Sequence, residues 1–227
     1  MAKSVPSPLI MIVDDRSINL ISARTMLNYA GWQTVTAPNG TEALLHLDQI
    51  PALIIAPLHL DMPGGSEFSA EIRSLGESFR SAPMIAITGA PTPDIDDLHQ
   101  LGFDDSLAET YTAEELVAAA EKWRPEPMPP TAEHLEQLFG DGEVTQMLRG
   151  LRSLLDEALG ALDTHDPADV AHRVAGFAGI LGFSDLSRDW RLLSEGDGPD
   201  RTMIRRRTRI VVAEIDRDLA GRDAAAH

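Results

Sequence analysis

The chain has 227 residues, a formal net charge of −17 and no cysteine. This length predicts one or two domains, and the absence of cysteine excludes disulfides and thiolate metal sites. The negative charge argues against nucleic acid or an anionic membrane as a partner. Because the sequence contains no long apolar run and no signal peptide, the protein is expected to be cytoplasmic.

The N-terminal half alternates predicted strands and helices. Short apolar runs predict five buried strands, at residues 9–13, 33–37, 52–56, 84–88 and 103–107. Segments with helical periodicity follow them, at residues 18–27, 41–47, 68–75, 95–101 and 113–123. Five successive strand–helix units predict an α/β domain with a doubly wound parallel sheet, whose functional crevice lies at the carboxyl ends of the strands.

Several short motifs stand where these predicted strands end. They are Asp14-Asp15, Met62-Pro63-Gly64, Ile87-Thr88-Gly89 and the stretch from Phe103 to Tyr111. Together they resemble the landmarks of two-component receiver domains, over residues 8 to 123. The resemblance implies a flavodoxin-like fold, with an acidic pair that binds Mg²⁺, an acceptor aspartate after the third strand and a lysine after the fifth. Asp14 and Asp15 match the acidic pair, and Thr88 matches the hydroxyl residue of the family.

The two reactive positions of that family do not match. Counted along the third strand, the acceptor falls on Pro57, and counted back from the Met-Pro turn it falls on His59. Asp61 is close to both registers but lies on neither. Glu109 replaces the lysine and puts a negative charge where a phosphoryl dianion and Mg²⁺ require a positive one. These departures predict a pseudo-receiver that takes no phosphate, and an active receiver that uses Asp61 is the alternative.

The predicted pocket keeps an acidic cluster, formed by Asp14, Asp15, Asp61 and Glu109. Hard divalent cations prefer oxygen ligands, so the cluster could hold one, with Asp14 and Asp15 as the first candidates. We favour a vestigial pocket without a metal. His59 as a metal ligand or phosphoacceptor is a further alternative.

The C-terminal half is predicted to be helical. A proline-rich segment at residues 124–130 predicts a stiff linker between a receiver-like domain at 1–123 and a second domain at 131–223. The apolar periodicity predicts helices at residues 132–139, 144–162, 167–181, 186–193 and 203–219. Short turns join these helices, which predicts an up-and-down bundle. The arginines at 205–209 predict a solvated face, with docking of an acidic receiver surface as the alternative.

His172 is the most distinctive residue of this half. Its helix is predicted to begin with Asp166 as the N-cap and Pro167 at the first helical position. His172 points away from the apolar stripe, and the residues beside it are small: Ala168, Ala175, Gly176 and Gly179. Each glycine inside a helix costs roughly 1 kcal/mol relative to alanine. The two glycines therefore indicate that a bulky group or a partner approaches the imidazole. The alternative is an exposed histidine on a helix that packs through its glycines.

The order of these residues matches a known pattern. His172-x-x-x-Gly176, followed by Ala-Gly-x-x-Gly-Phe at 178–183, resembles the signature of histidine-phosphotransfer (HPt) domains. The resemblance implies a four-helix bundle in which His172 is the phosphoacceptor. Ala175 stands where the family usually carries a lysine, and the loss of that cation bears on the transfer rate or on the stability of the phosphohistidine.

The two resemblances together imply a phosphorelay protein. His172 would accept phosphate from the receiver of a hybrid histidine kinase and pass it to a downstream response regulator. No cofactor is required of the chain, because the partner receiver supplies Mg²⁺ during transfer. Without an ATP-binding domain the chain is predicted to be a phosphotransfer intermediate rather than a turnover enzyme, with the pseudo-receiver as a docking or regulatory module. The alternative is a non-catalytic scaffold or sequestering protein of a two-component pathway.

Overall fold

The chain divides into two compact units, Met1–Pro125 and Glu126–His227. The computed structural model describes residues 7–46, 49, 51–60, 65–74, 82–90, 93–125, 128–162, 167–196 and 200–225. The division between the units falls within the proline-rich segment at 124–130. Among the residues so described, no helix has both the length and the apolar character needed to cross a membrane.

The first unit is built on a five-stranded parallel sheet. Its strands are β1 (Leu9–Val13), β2 (Gln33–Ala37), β3 (Leu53–Pro57), β4 (Met84–Thr88) and β5 (Asp105–Ala108). They are ordered β2-β1-β3-β4-β5, and every neighbouring pair is parallel. The predicted doubly wound sheet is confirmed. Because the strand order reverses between β1 and β3, the ligand crevice of such a sheet opens at the carboxyl ends of its strands.

Helices flank this sheet. They are α1 (Ser17–Tyr29), α2 (Gly40–Leu44), α3 (Gly65–Ser74), α4 (Ile95–Gln100) and α5 (Ala113–Glu121). In three of them a side-chain oxygen of the N-cap accepts a hydrogen bond from the backbone N–H three residues later, and the N-caps of α2, α4 and α5 are Asn39, Asp94 and Thr112. The local sequence therefore determines where these helices begin.

The central strands of the first unit are continuous apolar runs because they lie in its core. Residues of β1, β3 and β4 are almost entirely buried, as expected for parallel strands that are covered on both faces. β5 begins at Asp105, two residues later than predicted. The preceding Asp104 is buried, where its carboxylate accepts hydrogen bonds from the Met84 backbone N–H and from the Arg73 guanidinium, each at 2.9 Å.

The second unit is helical. Its helices are α6 (Pro130–Phe139), α7 (Asp141–Ala161), α8 (Ala168–Ile180), α9 (Ser184–Ser194) and α10 (Arg201–Ala225). α8 packs against α7 and α9, α10 packs against the same two helices, and α6 packs against α7. One apolar core joins them, and Trp190 lies inside it with its indole N–H donating to Thr208 Oγ1 at 3.0 Å. The arrangement is compatible with the predicted four-helix bundle.

Two expectations for these helices are wrong. α8 begins at Ala168, so Pro167 occupies the N-cap position rather than the first helical one, and it offers no side-chain cap. Asp166, the predicted cap, lies outside the described residues. The arginine run does not form a solvated face, because Arg205 and Arg209 are each only 8% exposed. α10 contacts both α7 and α9, so these two helices cover more of its surface than the single apolar stripe in its sequence predicts.

Candidate functional site

The sheet of the first unit brings the predicted receiver residues to one edge. Asp14 follows β1, Pro57 ends β3, Thr88 ends β4 and Glu109 follows β5. The register pairs Pro57 with Ile87, and the Glu109 backbone N–H donates to Thr88 O at 2.8 Å. Parallel strands carry these positions to the carboxyl edge together, which is where the crevice of this fold opens.

Asp14 is held by hydrogen bonds from its own chain segment. It is 2% exposed, and its carboxylate accepts the Arg16 backbone N–H at 2.8 Å and the Asn19 amide at 2.9 and 3.1 Å. Asp15, the other member of the acidic pair, is exposed. The two carboxylates therefore differ in their surroundings, and the buried one already has donors.

Arg16 provides the positive charge at this edge. Its guanidinium Nη2 donates to Glu109 Oε1 at 2.5 Å, and its Nε lies 3.7 Å from Asp14 Oδ1. The hydrogen bond to Glu109 raises the pKa of Arg16. Burial and the negative charge of Asp14 raise the pKa of Tyr111, against an opposing effect of Arg16. Sequence reasoning missed Arg16, because the contact joins residues 93 positions apart.

The resemblance to receivers places the acceptor at or just beyond the end of β3. Pro57 ends the strand, and His59 is exposed two residues beyond it. Asp61, the alternative acceptor, lies outside the described residues. The hydroxyl of Thr88 is buried and has no hydrogen-bond partner among the residues that the structure describes.

The described residues at this edge do not fit Mg²⁺. No group of three or more histidine, cysteine, aspartate or glutamate side chains that could hold a metal ion occurs in the described part of the chain. Asp14 is engaged by the Asn19 amide and a backbone N–H, and Glu109 is engaged by Arg16. A divalent cation would have to displace a guanidinium from between these carboxylates.

The second unit presents His172 in an open cleft. The histidine is exposed on α8, opposite the buried Val170, Val174 and Ala178. The cleft has a volume of about 430 Å³. α8 contributes Ala168, Asp169, His172, Ala175 and Gly176 to its walls. α9 contributes Arg191 and Ser194, and its C-cap residue Glu195 completes the lining.

Gly179 allows α9 to pack closely on α8. A Cβ atom added at Gly179 would lie 3.1 Å from Ser187 Oγ. That hydroxyl is buried and donates to the Ala175 carbonyl at 2.7 Å. Close packing against α9 therefore accounts for Gly179. The sequence allowed this explanation beside the approach of a bulky group or a partner.

Gly176 has a different environment. It is exposed, and a Cβ added there would meet nothing within 4 Å in the described structure. Packing inside the unit therefore does not require a glycine one helical turn after His172. A glycine at this position leaves the surface next to His172 open.

Sequence analysis did not identify Arg191, Ser194 and Glu195 as part of this cleft. The turn between α8 and α9 spans only residues 181–183, which makes the two helices antiparallel neighbours. That short turn was the available signal, because it brings the second half of α9 alongside the first half of α8. Residue spacing within α8 alone contains no information about α9.

Residues 10–121 match the response regulator receiver domain family. The polar-differentiation response regulator DivK of Brucella anthropi is 31% identical over 80 residues, which are 35% of this chain and 64% of that protein. DivK of Brucella ovis is 33% identical over 89 residues, 39% of this chain and 68% of that protein. The chain thus spans less than two thirds of the first of these relatives. The chemotaxis response regulator CheY4 of Vibrio cholerae aligns with a TM-score of 0.48 at 21% identity, covering 52% of this chain and 98% of that one.

Replacement of the two glycines by alanine is predicted to have opposite consequences. Gly176→Ala should raise the free energy of unfolding of the second unit by about 0.5–1 kcal/mol, because alanine is the better helix former and its Cβ meets nothing. Gly179→Ala should fail to stabilise, since its Cβ presses on Ser187. Urea denaturation followed by the fluorescence of Trp190, with the other two tryptophans replaced by phenylalanine, measures both. An equal gain from both variants would contradict the close packing of α8 on α9.

Proposed function

The chain belongs to the response regulator receiver family through residues 10–121, and from that premise we propose that it is a phosphorelay protein whose phosphoacceptor is His172. The observation that carries the proposal is the cleft in which an exposed histidine stands one helical turn from a glycine with open space above it. The helices α7 to α10 would form the four-helix bundle of an HPt domain. The pseudo-receiver would supply no acceptor of its own, in keeping with Pro57 at the end of β3.

The proposed chemistry is a reversible transfer between this histidine and a partner aspartate. The lone pair of an unprotonated imidazole nitrogen of His172 forms the N–P bond. The P–O bond to the partner aspartate breaks at the same time, and its electron pair stays with the carboxylate that leaves. A neutral imidazole needs no dedicated base for this step. The partner receiver holds the Mg²⁺ that neutralises charge during transfer, so the chain acts as an intermediate with one phosphate per molecule and not as a turnover enzyme.

The receiver unit is proposed to dock or regulate instead of reacting. Its five strands have the order β2-β1-β3-β4-β5, while at its carboxyl edge Arg16 binds Glu109 and lies near Asp14. Such a unit retains the surfaces of a receiver without its acceptor. Its proposed partners are the receiver of a hybrid histidine kinase and a response regulator downstream.

Phosphorylation by phosphoramidate tests the assignment of His172 directly. We expect one phosphate per chain, lost in acid and absent from His172→Ala, because the imidazole displaces ammonia from phosphorus. Intact-mass spectrometry measures it. His134→Ala removes another exposed histidine, on α6, and serves as the matched control that should still be labelled. A wild-type chain that takes no phosphate from phosphoramidate, nor from a phosphorylated partner receiver, would contradict the proposal and favour a scaffold.

Acetyl phosphate with Mg²⁺ tests whether the receiver unit is inert. This donor phosphorylates active receiver aspartates, and we expect the His172→Ala chain to gain no mass from it. A phosphate that appears in His172→Ala and disappears when Asp61→Asn is added would mean that Asp61 is a working acceptor. The pseudo-receiver assignment would then be wrong, whereas the assignment of His172 would be unaffected.

Removal of residues 1–123 tests the docking role. Phosphoramidate is too small to need docking, so its rate of labelling of His172 should be unchanged in the shortened chain. Transfer from the phosphorylated receivers of hybrid kinases should become slower by about tenfold or more, because the shortened chain loses a second contact with its partner. Circular dichroism verifies that the helices remain. Identical transfer rates and partner preferences in the two chains would contradict a docking role.

A further inference from the structure

None of the residues that α8 contributes to the His172 cleft is a cation, and Ala175 is one of them. A phosphoryl group on the imidazole carries close to two negative charges. Asp169 and Glu195 add carboxylates to the same cleft. The whole chain contains only two lysines, Lys3 and Lys122, and both precede the second unit. If His172 holds a phosphoryl group, the balancing charge has to come from another residue of the cleft or from the partner.

Arg191 brings such a charge from the neighbouring helix. Its side chain lines the cleft that contains His172. Its guanidinium Nη2 donates to Ser187 Oγ at 3.4 Å, and this hydroxyl donates in turn to the Ala175 carbonyl at 2.7 Å. Two hydrogen bonds thus link the guanidinium to the backbone of Ala175, the position at which a cation is absent.

The charge of Arg191 is also available. Among the described residues no carboxylate lies within 4.0 Å of its guanidinium, whereas neighbouring arginines are paired. Arg173 binds Glu157, and Arg188 lies 3.0 Å from Asp185. Arg191 keeps donors free to bind a phosphoryl group, and the planar fork of a guanidinium matches two phosphoryl oxygens at once.

We propose that Arg191 supplies the cation that binds the phosphoryl group on His172, in place of a lysine at position 175. This inference rests on the proposed function of His172. Ala175 and Gly176 line the same cleft as the imidazole and the guanidinium, and their small size keeps it open for a phosphoryl group. Gly179 and Ser187 allow α8 and α9 to pack closely, which keeps Arg191 in the cleft that contains the histidine.

The test uses the full chain and phosphoramidate as the phosphate donor. Arg191→Ala should slow the labelling of His172 by about tenfold, the effect of one charge-assisted contact at an exposed site, and should shorten the lifetime of the phosphohistidine after the donor is removed. Arg191→Lys should fall between this variant and the wild type, because it keeps the charge and loses the fork. Arg188→Ala, the matched control three residues earlier on α9, should stay within about twofold of the wild type.

Each result bears on the proposal. Labelling of Arg191→Ala within twofold of the wild-type rate would overturn it and leave the assignment of His172 intact. Equal losses in Arg191→Lys and Arg191→Ala would also overturn it, because a cation would then not be the feature that matters. A wild-type chain without phosphate on His172 would remove both proposals together. Thermal unfolding by circular dichroism identifies any loss that comes from the fold, and the comparison of lysine with alanine stands even then.

Discussion

The close approach of α8 and α9 is the contact on which the His172 site depends. Gly179 has no side chain, so Ser187 can reach the Ala175 carbonyl and bury its hydroxyl there. The same hydroxyl accepts a hydrogen bond from Arg191. A wider separation of the helices would leave the Ala175 carbonyl without this donor and would move the guanidinium away from the histidine. This packing contact between α8 and α9 therefore determines which side chains of α9 lie in the cleft with His172.

Arg16 and Glu109 form an ion pair at the carboxyl edge of the five-stranded sheet. The chain has a glutamate after β5, and its positive charge comes from Arg16 after β1. The guanidinium lies near both Asp14 and Glu109, so one positive charge offsets part of the negative charge of these two carboxylates. Most of the apolar residues of β1, β3 and β4 are buried in the core, whereas Arg16 and Glu109 are both exposed. In the pseudo-receiver that we propose, the reactive positions would differ while the five-stranded sheet is kept.

Much of the fold could be predicted because its information is local. Continuous apolar runs identify β1, β3 and β4, and helical periodicity identifies α7 and α8. Contacts between elements could not be predicted in the same way. The pairing of Arg16 with Glu109 and the place of Arg191 beside His172 join residues on different elements. The burial of Arg205 and Arg209 also depends on which helices surround α10, and no periodicity within α10 indicates it.

The two glycines of α8 separate internal packing from recognition by a partner. Each glycine lowers the stability of the helix by the same amount relative to alanine. Only Gly179 has a compensating contact inside the unit, the close approach of Ser187. Gly176 has open space above it and no compensating contact within the described structure. A residue that lowers stability without an internal benefit is typical of a functional surface. In the relay that we propose, Gly176 keeps the approach to His172 open for the partner, while Gly179 keeps Arg191 in place behind it.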